Sequence, residues 1–272
     1  MEIGLSDVRE AWRRVRTVVE DSDVVLEVLD ARDPLATRNI ELERLVASLG
    51  KRFIVAINKA DLVPLDVGLK WKEWFEAQGL PAVVFSAKMR LGTRKLMAKI
   101  KSVAPSVPVR VAVVGYPNVG KSTVINYLKG RHVAPTSPRP GFTRGEQIVR
   151  AKTWLIVVDT PGVLTSEEGD DAALAVIRGA VDPARIDDAV PYAIALINRV
   201  LSFNPRALEH YGYSGASAEE ALEHIGRRYG RLMRGGRVNI EEAARIVLRD
   251  WIEGKITYYY LPDSVGTYSA PP

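Results

Sequence analysis

The chain has 272 residues, 47% of them hydrophobic and 26% charged, which is the balance of a globular protein with one large or two modest domains. No apolar run reaches the roughly 20 residues that a membrane span needs, and the first ten residues lack the apolar core of a signal peptide. The absence of cysteine excludes disulfides and thiolate metal sites, and it favours a cytoplasmic address.

Short apolar runs alternate with helix-like stretches in the first part of the chain. The runs are rich in β-branched residues, as buried strands are, and comprise Val24–Leu29, Phe53–Ile57, Ala82–Phe85, Val109–Val114 and Leu155–Val158. The helix-like stretches between them are Ile40–Leu49, Val67–Gln78, Thr93–Val103 and Lys121–Leu128. This alternation predicts an α/β fold with a doubly wound, mostly parallel sheet, in which ligands bind at the carboxyl ends of the strands.

Strand signals stop after about Thr165, and helix signals continue. They are Asp171–Ile177, Tyr192–Leu201, a Ser217–Glu220 capping box leading into Ala221–Tyr229, and an Asn239–Glu242 cap leading into Ala243–Ile252. We therefore predict two domains, an α/β domain over residues 1–170 and a small helical domain over residues 171–272.

Positive charge is concentrated in one part of the chain. The net charge is only +5, but no acidic residue occurs between Glu76 and Glu146. The basic residues there are Lys88, Arg90, Arg94, Lys95, Lys99, Lys101, Arg110, Lys121, Lys129, Arg131, Arg139 and Arg144. Such a block favours a polyanionic partner. The alternative is a solvated basic face with a few nucleotide contacts.

A phosphate-binding motif follows the Val109–Val114 strand. Gly115–Ser122 reads G-Y-P-N-V-G-K-S, which fits G-x-x-x-x-G-K-[ST] between a strand and a helix. Glycines let backbone N–H groups surround phosphates at the helix N-terminus. We expect the nucleotide to contact Asn118, Val119, Gly120, Lys121, Ser122 and Thr123, with Lys121 at the β- and γ-phosphates and Ser122 on Mg²⁺.

Two further motifs indicate guanine as the base. Asn58-Lys59-Ala60-Asp61 ends the second strand, and the carboxylate of Asp61 can accept hydrogen bonds from guanine N1–H and the exocyclic amine, a donor pair that adenine lacks. We expect Asn58 to brace the loop and Lys59 to cover the base. Ser86-Ala87-Lys88 follows the next strand, where the Ala87 amide can donate to guanine O6. The sequence therefore predicts GTP rather than ATP.

The last elements of the site are a metal ligand and two γ-phosphate sensors. Asp159-Thr160-Pro161-Gly162 follows the Leu155–Val158 strand, so we expect Asp159 to hold Mg²⁺ through water and the Gly162 amide to sense the γ-phosphate. Thr143 lies in Pro140-Gly141-Phe142-Thr143, between the phosphate motif and this one. It is the expected switch threonine on Mg²⁺. We assign catalytic roles to Lys121, Thr143 and Gly162.

The order of these motifs resembles that of the circularly permuted GTPases of the YlqF/YawG family (RbgA-like), since the guanine-reading half precedes the phosphate-binding half. Asp30-Ala31-Arg32-Asp33-Pro34 resembles the D-A-R-x-P element of that family, and Leu232–Gly236 resembles part of its C-terminal domain. The resemblance spans nearly the whole chain. It implies slow, Mg²⁺-dependent GTP hydrolysis and, as partner, ribosomal RNA or an assembling large ribosomal subunit.

The residue that orients the attacking water cannot be identified from the sequence. Many GTPases use a Gln directly after D-x-x-G, but this chain has Val163 there. In related proteins this role is attributed to a histidine near the N-terminus. The histidines of this chain are His132, His210 and His224, none of which is near the N-terminus, so we assign no catalytic histidine. Asn118 matches an asparagine that ligates K⁺ in some relatives, so K⁺ is a second candidate cofactor; the alternative is a residue that only shapes the loop.

The helical domain carries its own basic patch. Arg227, Arg231 and Arg234 share one helical face if the helix continues past Gly230, which would suit RNA contact; a solvated arginine face is the alternative. We expect a cytoplasmic monomer that binds GTP and Mg²⁺, has no membrane partner and assists large-subunit assembly. Two other functions stay open: a nucleotide-gated, protein-binding signalling switch without RNA, and an accessory GTPase of RNA modification.

Overall fold

The computed structural model describes residues 5–130, 147–159 and 171–265. Among these residues, the strands are β1 (Val24–Asp30), β2 (Arg52–Asn58), β3 (Ala82–Val84), β4 (Val109–Val114), β5 (Gln147–Lys152) and β6 (Leu155–Asp159). The α-helices are α1 (Leu5–Glu20), α2 (Ile40–Ser48), α3 (Leu65–Ala77), α4 (Thr93–Val103), α5 (Lys121–Lys129), α6 (Ala172–Ile177), α7 (Val190–Phe203), α8 (Ala218–Arg228) and α9 (Ile240–Glu253).

The strands form one sheet in the order β3-β2-β1-β4-β6-β5, in which only β5 is antiparallel to its neighbour. The predicted α/β fold with a mostly parallel sheet is confirmed. All seven residues of β1 are buried, because the strand lies in the middle of the sheet and helices cover both faces. The carboxyl ends of β1, β2, β4 and β6 therefore lie at one edge of the sheet, and each carries one of the sequence motifs.

Two elements differ from the sequence-based expectation. Helix α1 was not predicted; its Val15, Val18 and Val19 are buried in the core of the sheet domain. Strand β5 was not predicted either, and it pairs antiparallel at the edge beside β6. Its sequence, Q-I-V-R-A-K, mixes polar and apolar residues and lacks the continuous apolar run of the buried strands.

The chain divides into two compact units, Met1–Thr165 together with Leu261–Pro272, and Ser166–Tyr260. Helices α6 to α9 form the second unit, in which Ser217 accepts a hydrogen bond from Glu220 N and Asn239 accepts one from Glu242 N, as the predicted caps require. Within the described ranges, no helix is long and apolar enough to cross a membrane.

The helix predicted over Ala221–Tyr229 does not continue past Gly230, so the condition for one shared arginine face is not met. Helix α8 ends at Arg228, and Gly230 adopts a φ of +62°, in the left-handed region where helices stop. Arg231 N then donates to Gly226 O at 2.7 Å, and Met233 N donates to Arg237 O at 2.7 Å. The basic patch is therefore an exposed turn rather than one face of a helix.

Candidate guanine-nucleotide site

The phosphate motif forms a tight loop between β4 and α5, and two of its glycines have no room for a side chain. A Cβ on Gly115 would lie 2.5 Å from Val28 O, and one on Gly120 would lie 2.4 Å from Asn58 Nδ2. Both glycines also have positive φ, +147° and +98°. Helix α5 starts at the next residue, so its N-terminal amides lie at the loop, where anions are favoured.

The side chains of this motif divide into a buried lysine and exposed polar groups. Lys121 is buried, and its Nζ donates to Tyr116 O across the loop at 2.5 Å. Asn118, Ser122 and Thr123 are exposed, and Asn118 has a φ of +59°. The Tyr116 carbonyl therefore holds the Lys121 ammonium at the loop where a phosphate would bind. The hydroxyls of Ser122 and Thr123 are accessible to the same ligand.

Asn58 connects the guanine-reading loops to the phosphate loop. It ends β2 and is buried; its Nδ2 donates to Val119 O at 2.9 Å, and its Oδ1 accepts from Ala87 N at 3.0 Å. One side chain thus joins three segments that are far apart in the sequence. The expected bracing role of Asn58 fits this geometry.

The same contacts give Ala87 a role that the sequence did not predict. Its amide is engaged by Asn58 in this structure, so donation to guanine O6 requires that bond to be exchanged or shared. Ser86 is buried, and its Oγ accepts from Met89 N at 3.0 Å, which closes the loop. Asp61 and Lys88 are exposed.

Lys59 has a partner that the motif alone did not reveal. Its Nζ donates to Asp30 Oδ2 at 2.8 Å, and Arg32 Nη2 donates to the same oxygen at 2.8 Å. Burial by itself would raise the pKa of the Asp30 carboxyl, but the two cations hold that pKa well below its usual value. Burial lowers the pKa of the Lys59 ammonium, and the charge of Asp30 opposes this shift.

The described part of the Mg²⁺ site fits the metal in its chemistry. Hydroxyl and carboxylate oxygens are ligands that Mg²⁺ prefers. Ser122 is the second residue of α5, which follows β4 through the phosphate loop, and Asp159 ends β6 in register with Val113 of β4, so both residues lie at the same edge of the sheet. Thr143, Gly162 and Val163 lie outside the described residues. Within the described ranges, no three His, Asp or Glu side chains form a separate metal-binding cluster.

An open cleft lies between the Ser86-Ala87-Lys88 loop and α5. Its volume is about 720 Å³, within the range of small-molecule sites. Its lining comprises Ala87, Lys88, Arg90, Thr123, Asn126, Tyr127, Lys129 and Gly130. A cavity of about 820 Å³ in the helical unit is larger, but its Arg245 already binds Glu241 and the carbonyls of Pro183 and Ile186. The cleft beside α5 is therefore the better candidate for a charged ligand.

Comparison with known proteins finds related GTP-binding proteins. The family model described as 50S ribosome-binding GTPase matches residues 110–201. YlqF from T. maritima, in a crystal structure with bound GNP, has 26% sequence identity and a TM-score of 0.68, with 92% of this chain and 97% of that chain covered. The chain belongs to the YlqF-like family of circularly permuted GTPases.

Sequence relatives extend across archaea and eukaryotes. An uncharacterised GTP-binding protein of Methanocaldococcus jannaschii is 40% identical over 90% of this chain and 65% of its own length. Nucleolar GTP-binding protein 2 of Yarrowia lipolytica is 33% identical over 93% of this chain and 51% of its own length. The chain thus spans about half to two thirds of the length of these relatives.

Proposed function

We propose that this GTP-binding protein hydrolyses GTP and acts as a timed switch in the assembly of the large ribosomal subunit. The observation that carries the enzymatic part is the arrangement around Asn58, which bonds the phosphate loop to the guanine-reading loop. Mg²⁺, when bound between Ser122 and Asp159, would offset phosphate charge. Lys121 would hold the β- and γ-phosphates, and Thr143 and Gly162 would respond to the γ-phosphate.

Guanine selection is tested at Asp61. Asp61→Asn should weaken GTP binding and relax discrimination against xanthine nucleotides, because an amide can donate to the 2-oxo group of xanthine. Competition between GTP and XTP measures the preference. The exposed Asp66 in the first turn of α3 offers a control, Asp66→Asn, which should leave the preference unchanged. An unaltered preference in Asp61→Asn would overturn the assignment of the guanine loop.

The phosphate loop is tested at Lys121 and Ser122. Lys121→Ala or Ser122→Ala should abolish Mg²⁺-dependent hydrolysis while the circular-dichroism spectrum stays that of the wild type. Ser122 is exposed, so its hydroxyl has no packing role in the described structure. Turnover equal to that of the wild type in either variant would exclude the phosphate loop as the active site.

Slow intrinsic hydrolysis follows from Val163, which supplies no group to orient water. We propose K⁺ near Asn118 or an activator on the ribosome as the accelerating element. Asn118 is exposed and held in a left-handed conformation, so its amide can reach an ion at the loop. If K⁺ binds there, replacing it with Na⁺ should slow hydrolysis, and Asn118→Ala should remove the difference between the ions. Fast turnover by the isolated protein in Na⁺ would refute this scheme.

The proposed contact with ribosomal RNA is based on two exposed basic surfaces. In the sheet unit, Lys88, Arg90, Arg94 and Lys95 are exposed around the guanine loop and the start of α4. In the helical unit, every residue from 227 to 237 is exposed. This segment comprises the end of α8 and the turn after it, and it contains five arginines, no acid, and the apolar side chains Tyr229, Leu232 and Met233. Phosphate contact by the guanidinium groups and base stacking on Tyr229 suit single-stranded or looped RNA.

Charge reversal distinguishes RNA binding from a signalling function. Arg231→Glu with Arg234→Glu should raise the concentration of large subunits needed for co-sedimentation in the presence of a non-hydrolysable GTP analogue. Arg206→Glu is the matched control, because Arg206 is exposed but already paired with Glu209. Binding to RNA should also weaken steeply with salt. Binding that is insensitive to salt and to both reversals would instead favour a protein-binding switch.

The remaining assignments are proposals as well. We propose a monomer with a helical C-terminal domain that contacts RNA. The cytoplasmic address predicted from the sequence is also a proposal, and the relative from Yarrowia lipolytica is named for the nucleolus. Size-exclusion chromatography with light scattering would test the monomer.

A further inference from the structure

A buried ion-pair cluster lies at the carboxyl ends of β1 and β2, beside the guanine-reading loop. Asp30 ends β1 and is in register with Asn58, the last residue of β2. Arg32 Nε donates to Asp30 Oδ1 at 3.0 Å, Arg32 Nη2 donates to Oδ2 at 2.8 Å, and the Arg32 backbone amide donates to Oδ1 at 3.0 Å. Both side chains are at most 3% exposed, so the carboxylate is fixed in one orientation.

Lys59 is the third member of this cluster. Its ammonium donates to Asp30 Oδ2 at 2.8 Å, and only 17% of its side chain is exposed. Lys59 also has a φ of +62°, a conformation that residues with a Cβ rarely adopt. A buried ammonium on a strained residue requires compensation, and the Asp30 carboxylate supplies it.

We propose that Asp30, held in place by Arg32, is a positioning residue that fixes the side chain of Lys59 and thereby sets the affinity for guanine nucleotides. The proposal rests on the function proposed above, in which Lys59 covers the guanine base. A long lysine side chain loses conformational freedom when it covers a ligand. Because Asp30 orders the Lys59 side chain before the nucleotide binds, this entropy loss does not reduce the affinity for the nucleotide. Arg32 prevents the carboxylate from rotating away.

The test is a double-mutant cycle in the full chain, with GDP and Mg²⁺ as the probe. Asp30→Asn should weaken GDP binding by about tenfold. This factor corresponds to about 1.4 kcal/mol, which is the cost of ordering one long side chain on binding. Lys59→Ala should also weaken it. In the Lys59→Ala background, Asp30→Asn should change the dissociation constant by less than about twofold, because the side chain that Asp30 positions is absent.

A structural role of Asp30 gives a different result. If Asp30→Asn weakens GDP binding equally with Lys59 present and absent, or not at all, the positioning role is overturned. Glu43→Gln is the matched control, since the largely buried Glu43 carboxylate accepts two hydrogen bonds from Arg38, from Nε at 2.6 Å and from Nη2 at 2.8 Å. It should lower the melting temperature and leave the GDP dissociation constant unchanged.

Two additions keep the test decisive. Asp30→Asn removes a negative charge that pairs with a buried arginine, so if this variant does not fold, Asp30→Glu takes its place: it keeps the charge, moves the carboxylate by one methylene, and should weaken GDP binding only when Lys59 is present. An equal loss in both backgrounds overturns the proposal. Wild-type protein that binds no guanine nucleotide overturns the proposed function itself, whereas normal wild-type binding with additive variants overturns only the role of Asp30.

Discussion

Removal of the Asn58 side chain should damage both stability and nucleotide binding. In Asn58→Ala, Ala87 N–H and Val119 C=O lose their partner, and these two residues are 5% and 1% exposed. A buried polar group left without a partner costs about 1–3 kcal/mol, so the two together cost roughly 2–6 kcal/mol of the free energy of unfolding. For a domain of this size, that corresponds to a fall in melting temperature of roughly 4–24 °C.

Thermal unfolding by circular dichroism and GDP titration by fluorescence measure the two effects. Asn204→Ala is the matched control: Asn204 Nδ2 donates to Thr257 O at 3.0 Å and its Oδ1 accepts from Arg206 N at 3.1 Å, but both bonds are solvent-accessible. Because water replaces lost bonds there, we expect a cost of about 1 kcal/mol or less and no effect on GDP binding. Wild-type stability and GDP affinity in Asn58→Ala would refute the bridging role.

Three further predictions concern other parts of the molecule. Gly120→Ala should abolish GDP binding in a titration, since its Cβ would lie 2.4 Å from an amide nitrogen, whereas Gly79→Ala, also at positive φ but with nothing within 4 Å, should lower only the melting temperature. Burial raises the pKa of Glu27 well above the usual 4.5, so the folded protein keeps a proton that the unfolded chain releases, and the free energy of unfolding falls as pH rises above that value. Glu27→Gln should therefore raise the melting temperature by an amount that grows as the pH rises above about 4.5. Tyr211→Phe should destabilise the helical unit by about 1–3 kcal/mol, measured by hydrogen exchange in α9, because the buried Asp250 loses the phenol hydrogen bond.

Each of these three has an outcome that would contradict it. GDP binding by Gly120→Ala at wild-type strength would show that the loop widens to accept a methyl group. A melting temperature of Glu27→Gln that tracks the wild type at every pH would mean that Glu27 titrates normally. Unchanged exchange in α9 of Tyr211→Phe would show that water replaces the phenol.

The strands and motifs were predictable because their signals are local. Apolar runs such as Phe53–Ile57 have few alternatives to a buried strand, and a glycine-rich loop between a strand and a helix has a narrow range of structures. The sequence left open whether the helix continues past Gly230, because a glycine within an arginine-rich helical pattern gives two conflicting signals. The positive φ of that residue decided between them.

The contacts behind the site could not be read from the sequence. Asp30 and Lys59 meet only because β1 and β2 pair in a register that places Asp30 opposite Asn58. A shift of one residue in this register would place Asp30 opposite Ile57 or Lys59 instead of Asn58. Register depends on packing across the whole sheet. The motifs therefore predicted which residues belong to the site, but they did not predict which of these residues form hydrogen bonds or ion pairs with one another.

The position of β1 also has a consequence for the folding of the protein during its synthesis on the ribosome. Strands β1, β2 and β3 are consecutive in the chain and form one half of the sheet, whereas β4 joins β1 only after Val109–Val114 has been synthesised. Until then, the nascent half-sheet presents an apolar strand with one unpaired edge, a surface that is prone to intermolecular pairing. Nascent chains that end before Val109 should therefore require a holding chaperone, and release from it should coincide with the emergence of β4.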